Sequence, residues 1–164
     1  MIQVAIVTIS DSVVAGTRED GSGAALASKV TEFGWTVAQK KIVSDDEEQI
    51  SSMLIDLTEL TDLTDVDVIL TTGGTGVALR DVTPEATAAV SDRKIEGFGE
   101  LMRLKSMEKT RFAHLSRGGA FTRGRVLIVN LPGSPKGAVE SLEAVAELIP
   151  HVVDLLHGRT EHRA

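Results

Sequence analysis

Three short runs, Ile2 to Ile9, Val66 to Leu70 and Val126 to Leu131, are almost wholly apolar and rich in β-branched side chains. An apolar run without polar alternation reads as a strand buried on both faces, the condition of a parallel sheet covered by helices. The stretches between them carry helical periodicity. Leu26, Val30 and Phe33 fall on one helix face that Gly34 closes, and Trp35 to Val43 supplies a further strand. Ser44 with Glu47 matches a capping box, and Ile50, Met53, Leu54 and Leu57 form the stripe of the next helix.

Thr83-Pro84 starts another helix, with proline where its missing N–H costs nothing. Phe98, Leu101, Met102 and Lys105 mark an amphipathic helix running toward Arg111, and Gly118 to Arg123 reads as an edge strand or hairpin arm. A long stripe through Ala138, Leu142, Val145 and Ile149 predicts one helix from Pro135 to Leu156. The expected fold is α/β: a three-layer sandwich with a mostly parallel central sheet and helices on both faces. Residues 1–158 are expected to form a single domain and 159–164 a C-terminal tail.

A chain of 164 residues buries enough surface to fold without a staple, and its lack of cysteine removes disulfides, thiol catalysis and zinc-thiolate sites. No apolar stretch approaches the roughly 20 residues of a membrane span, and the start has no basic leader, so a cytoplasmic protein is expected. A net charge of -7 opposes adhesion to nucleic acid or anionic lipid. Any anionic ligand must be held by local donors.

In an open parallel sheet, ligands bind beyond the carboxyl ends of the strands. Four places qualify. In Thr71-Thr72-Gly73-Gly74-Thr75-Gly76, absent side chains let backbone N–H groups approach a phosphate or carboxylate, although a tight turn alone accounts for such glycines. The spacing fits neither a Walker loop nor a dinucleotide fingerprint. Asp81, behind that turn, is a candidate magnesium ligand or a helix cap, and Asp45-Asp46 after the second strand could share the same hydrated ion or serve the helix dipole. In Asn130-Leu131-Pro132-Gly133-Ser134-Pro135-Lys136, a lysine at the positive end of a helix is electrostatically misplaced unless an anion joins it. Beside these four, Ser10-Asp11-Ser12 after the first strand is less telling: it can bind ligand or turn the chain. The four histidines lack metal-ligand spacing, and Glu100, Arg103 and Ser106 share roughly one helix face.

Taken together, Ser10-Asp11, Asp45-Asp46, Thr71 to Gly76, Arg80-Asp81-Val82-Thr83-Pro84-Glu85-Ala86-Thr87, Glu96-Gly97-Phe98-Gly99-Glu100 and Asn130-Leu131-Pro132-Gly133 stand in an order that resembles the MogA/MoaB molybdenum-cofactor biosynthesis family over essentially the whole chain. The resemblance implies a molybdopterin adenylyltransferase using Mg2+, with ATP and molybdopterin as substrates and pyrophosphate as product. It implies catalytic and metal roles for Asp45 and Asp81. Substrate binding is carried over to Ser10, Asp11, Thr72, Gly73, Gly74, Thr75, Gly76, Glu100, Arg103, Ser106, Asn130, Pro132, Gly133, Ser134 and Lys136. It further implies a homotrimer or dimer of trimers and hand-over to a molybdate-inserting enzyme. Ser44 stands where the family often has proline, and the compact length is nearer the MoaB-like form. The competing expectation is a non-catalytic molybdopterin-binding or scaffold protein of the same pathway.

Overall fold

The computed structural model describes residues 1–59 and 65–159. Of the expected tail only Arg159 is among them; 160–164, with His162, lie outside the described residues. The elements run β1 (Gln3–Ile9), α1 (Asp11–Val14), α2 (Gly21–Glu32), β2 (Thr36–Val43), α3 (Glu47–Glu59), β3 (Val68–Thr72), α4 (Thr83–Val90), β4 (Arg93–Ile95), α5 (Glu96–Met107), a 3-10 turn (Arg111–Leu115), β5 (Gly119–Arg123), β6 (Val126–Leu131), α6 (Pro135–Val145) and α7 (Ile149–Leu156). The six strands form one sheet in the order β2-β1-β3-β6-β5-β4. β1, β2, β3 and β6 are mutually parallel, and β5 and β4 continue the sheet in antiparallel pairing. The α/β sandwich with a mostly parallel sheet is therefore the fold found.

Strand pleating divides the apolar runs between two cores. Val4, Ile6, Val68, Leu70, Leu127 and Val129 face Leu26 and Val30 of α2, Phe98 and Met102 of α5, and Leu142, Val145, Ile149 and Val153 of α6 and α7. On the other face Ala5, Val7, Ile9, Ile69 and Ile128 meet Ile50, Leu54 and Leu57 of α3 and Ala86 of α4. Each fully buried Leu or Ile contributes roughly 1.5–3 kcal/mol, so two such layers hold the sheet without a disulfide or structural metal.

Several local expectations are corrected. The cap of α3 is Asp46, whose carboxylate accepts the Gln49 N–H at 2.9 Å, rather than Ser44. Pro150 divides the expected Pro135–Leu156 helix into α6 and α7, because a proline ring removes an N–H and clashes with the preceding turn. Trp35 precedes β2, the third strand runs two residues further than expected, to Thr72, and α5 stops at Met107. Gly119–Arg123 is a hairpin arm inside the sheet, and the edge is β4, a three-residue strand with charged Arg93 and Lys94 that carries no apolar signal.

The topology positions the site. From β1 the chain crosses through α2 to β2 on one side, and from β2 it returns through α3 to β3 on the other side of β1. The carboxyl ends of β1 and β3 are thus neighbours whose exits diverge, which opens a crevice at a topological switch point.

Candidate functional site

The crevice floor is glycine because nothing else fits. Gly73 has φ +107°, and a Cβ there would lie 2.2 Å from the Ile9 carbonyl oxygen at the end of β1. Gly74 has φ +68°, and its Cβ would come within 2.3 Å of Thr83 Oγ1. Thr83 explains that proximity: its hydroxyl donates to the Gly73 carbonyl at 2.8 Å and its N–H to the Gly74 carbonyl at 3.1 Å. The turn is also fastened to the segment after β6. The Gly73 N–H donates to Leu131 O at 3.1 Å and the Thr72 hydroxyl to Pro132 O at 2.7 Å. A Cβ on Gly133 would meet Gly73 Cα at 3.3 Å, so the two turns pack backbone on backbone.

The walls carry carboxylates. The Asp11 N–H donates to Asp45 Oδ2 at 2.9 Å and the Asp45 N–H to Asp11 Oδ1 at 3.1 Å, a reciprocal pair joining the ends of β1 and β2. Arg80 forks onto Asp11 at 2.6 and 2.9 Å. Asp81 does not cap α4, whose N-cap Val82 has no side-chain bond; it accepts the Ala78 N–H at 2.9 Å instead. Both carboxylates approach the glycine turn. A Cβ on Gly74 would lie 3.4 Å from Asp45 Oδ1, and one on Gly76 2.7 Å from Asp81 Oδ2.

The resulting cavity, about 480 Å³, is lined by Asp11, Glu19, Asp20, Asp45 and Asp81 but, among cations, only by Arg18. The Arg80 hydrogen bonds hold the Asp11 carboxyl below the usual carboxylate range. Burial is the main force lifting Asp45 above that range, and the charges of Asp11 and Asp81 push the same way. A polyanion meets repulsion here unless a cation enters with it. Among the described residues no three potential ligands converge into a closed metal cage. Magnesium needs none, because it binds through one or two carboxylates together with water and substrate phosphates. Asp45 and Asp81 fit that pattern.

A second cavity of about 250 Å³ opens on the other side of the Pro132–Gly137 turn, walled by Met102, Phe112, Ala113 and Pro132 with Arg103 and Ser106 at its polar edge. Of the residues expected at the site, Ser10, Asp11, Asp45, Thr72, Gly73, Gly74, Asp81, Gly133 and Ser134 line the first cavity, and Arg103, Ser106 and Pro132 line the second. Five line neither. Asn130 is buried within β6, where its Oδ1 accepts the Thr71 and Thr87 hydroxyls at 2.9 and 3.2 Å. Thr75 is buried beneath the turn, Gly76 leads away toward Asp81, and Glu100 is exposed on α5. Lys136 points into solvent with its Nζ 4.0 Å from Glu140, and at the start of α6 the Ser134 hydroxyl caps the Gly137 N–H at 3.1 Å.

Thr83, Arg18, Asp20 and Arg117 also shape the site, without a place among the residues expected there. Asp20 caps α2 through the Gly23 N–H and accepts the Thr8 hydroxyl at 2.8 Å, and an acidic residue before a helical stripe was the available signal. Arg117 had none, because its side-chain partners lie 32 to 41 positions away in the chain.

A mostly parallel sheet with a backbone-floored, acid-walled crevice at its switch point defines an α/β domain of the class that binds ligands beyond the carboxyl ends of its strands. Residues 5–151 match the family described as "Probable molybdopterin binding domain". The chain is 42% identical over 159 residues to the molybdopterin adenylyltransferase of Helicobacter pylori strain J99, covering 96% of this chain and 89% of that one. It is 40% identical to the molybdopterin adenylyltransferase of Escherichia coli K12, covering 96% and 79%. The crystal structure of the molybdopterin biosynthesis enzyme MoaB from Thermus thermophilus superposes with a TM-score of 0.89 at 46% identity, covering 96% and 98%. The chain belongs to the MogA/MoaB family of molybdenum cofactor biosynthesis proteins.

Proposed function

We propose that this protein is a molybdopterin adenylyltransferase that moves AMP from ATP to the terminal phosphate of molybdopterin. The observation that carries the reading is the closeness of two unlike cavities along one turn: a carboxylate-walled crevice at Gly133-Ser134 and an apolar, ring-sized cavity at Pro132 and Gly137. A ligand with a phosphate arm on a ring system would fill both. Relatives named for the same activity at 40–42% identity support the assignment.

In the proposed reaction an oxygen of the pterin phosphate attacks the α-phosphorus of ATP, a new P–O bond forms, the bond to the β-phosphate oxygen breaks, and pyrophosphate leaves. The nucleophile is already ionised, so no general base is required. Asp45 and Asp81 would hold Mg2+, which when bound neutralises phosphate charge and aligns the reacting oxygens. The backbone of Gly73, Gly74 and Gly133 permits close approach of phosphate oxygens, and Ser10 and Ser134 lie at the rim with hydroxyls. Asp11 holds Arg80 in an ion pair, from which a phosphate could draw it.

Residues 1–158 would act as one domain in the cytoplasm; among the described residues no helix is long and apolar enough to cross a membrane. A homotrimer or dimer of trimers is proposed, supported by the exposed apolar side chains of Leu104, Met107 and Leu115, and a native mass of a monomer would exclude it. The product would pass to a molybdate-inserting enzyme. Incubation with molybdopterin, ATP and Mg2+ should yield adenylated pterin and pyrophosphate in equal amounts. Absence of both removes the proposal, and tight pterin binding without turnover selects a binding or scaffold role instead.

A further inference from the structure

Asp81 sits on a loop with little packing of its own. Leu79 is 99% and Val77 68% exposed, and within the loop the bonds are those between Ala78 and Asp81. The base of the loop is closed by Arg117. Its Nε donates to the Gly76 carbonyl at 2.8 Å, one terminal nitrogen to the Asp81 carbonyl at 2.6 Å, and the other pairs with Glu85 in the first turn of α4. Its own N–H donates to Thr75 O at 2.8 Å. Burial alone would raise the Glu85 carboxyl, yet the bonds to Arg117 and to its own backbone bring it below the usual range, as a fixed pair requires.

The flanking residues belong to the other cavity. Ser116 and Gly118 line it, and both carbonyls accept from Arg103, at 3.4 and 3.2 Å. There is no slack on this side: a Cβ on Gly99 would lie 2.8 Å from Gly118 O. The segment 116–118 is therefore gripped on one side by the wall of the apolar cavity and on the other by the loop that carries Asp81.

We propose that Arg117 is a positioning residue for the transfer reaction: it fixes the Gly76–Asp81 loop so that the Asp81 carboxylate is held in register with a ligand seated in the neighbouring apolar cavity. Arg117 touches no substrate in this scheme, and it lines neither cavity. The inference rests on the adenylyltransferase reading for its kinetic consequence but not for its structural one. A guanidinium is required because two carbonyls and a carboxylate must be met in one plane, which an ammonium cannot do.

The test uses the full chain with Arg117→Ala and Arg117→Lys. For Arg117→Ala, kcat should fall about 100-fold and the Mg2+ concentration for half-maximal rate should rise, while the pterin KM stays within about threefold. Added guanidinium should restore about tenfold of the lost rate to Arg117→Ala and none to Arg117→Lys, whose ammonium meets only one carbonyl. Amide hydrogen exchange across 77–81 should accelerate in both variants while that of β1 and β6 does not. The proposal is overturned if kcat changes less than about threefold, or if kcat and pterin binding fall together with the unfolding midpoint and guanidinium rescues nothing. Should Arg117→Ala not fold, Arg117→Lys decides: faster exchange at 77–81 with a kcat reduced about tenfold supports the role, and wild-type values refute it. If the wild type transfers no AMP, the functional reading fails separately, and loop exchange with Mg2+–ATP binding in the two variants still settles the part played by Arg117.

Discussion

The two ends of the parallel sheet are both acidic, and they treat their acids differently. At the amino ends of the strands Asp67 accepts the Gln3 N–H at 2.8 Å and lies 3.1 Å from His157 Nε2, while Arg125 reaches His157 Nδ1 at 3.2 Å and Arg159 pairs with Asp154 at 3.0 Å. At the carboxyl ends Asp45 and Asp81 take backbone N–H donors and make no ion pair among the described residues. Backbone donors fix where a carboxylate is without cancelling its charge. The amino end ties its acids to neighbouring side chains, whereas Asp45 and Asp81 at the carboxyl end keep oriented negative charge that no described side-chain cation pairs.

The largest effect should come from spoiling that reserve. Asp81→Asn keeps the size and the Ala78 contact but removes the charge, and turnover should fall about 100- to 1,000-fold with pterin affinity changed only a few-fold. Pyrophosphate release set against calorimetric pterin binding measures both. Equal losses would assign Asp81 to pterin binding and blur the contrast between the ends. Gly73→Ala comes next, since its Cβ would strike the Ile9 carbonyl at 2.2 Å in a backbone conformation that alanine resists. The backbone between β1 and β3 must shift, at about 2–4 kcal/mol in urea unfolding.

How much of this could be read beforehand follows from range. Buried runs such as Val126 to Leu131 announce themselves because both faces of a parallel strand are covered, and Thr72 to Gly76 stands out because glycine tolerates what other residues do not. Edge strand β4 and short α1 have no such signature, and the apolar stripe runs on through Pro150, which stands in the first turn of α7 where the helix breaks. At the site, residues immediately after strands were legible by position. Asn130 was not, since whether a residue at a strand end points into the crevice or the core depends on a pleat that the sequence does not number. Arg117 depends on loops brought together only by the finished sheet.

The amino end offers the matching control. His157→Ala removes the contact with Asp67 and the Arg125 acceptor, leaving a largely buried carboxylate with one backbone donor. Stability should drop by about 1–2 kcal/mol, read from the urea midpoint, with AMP transfer within about twofold of wild type. A large kinetic loss would show that the two ends are coupled through the sheet.

The finest separation lies inside the carboxyl end, between Asp11 and Asp45. Arg80 hydrogen bonding puts the folded Asp11 carboxyl below its ordinary 3.8, so its stabilisation is complete above 3.8 and is lost as pH falls through the lowered folded value. Burial, chiefly, puts Asp45 above 3.8, so its ionisation opposes folding: the penalty grows as pH rises from 3.8 and is complete above the raised folded value. Asp11→Asn should therefore lower the neutral-pH unfolding midpoint and Asp45→Asn raise it, with both differences shrinking once acid protonates the wild-type carboxylates. Urea titrations of the three proteins at neutral and acidic pH check the signs. Shifts in the same direction would mean that the reciprocal Asp11–Asp45 hydrogen bonds, rather than charge, govern this wall; opposite shifts would show that Asp45 is kept ionised at a cost to the fold, as a group reserved for an incoming cation should be.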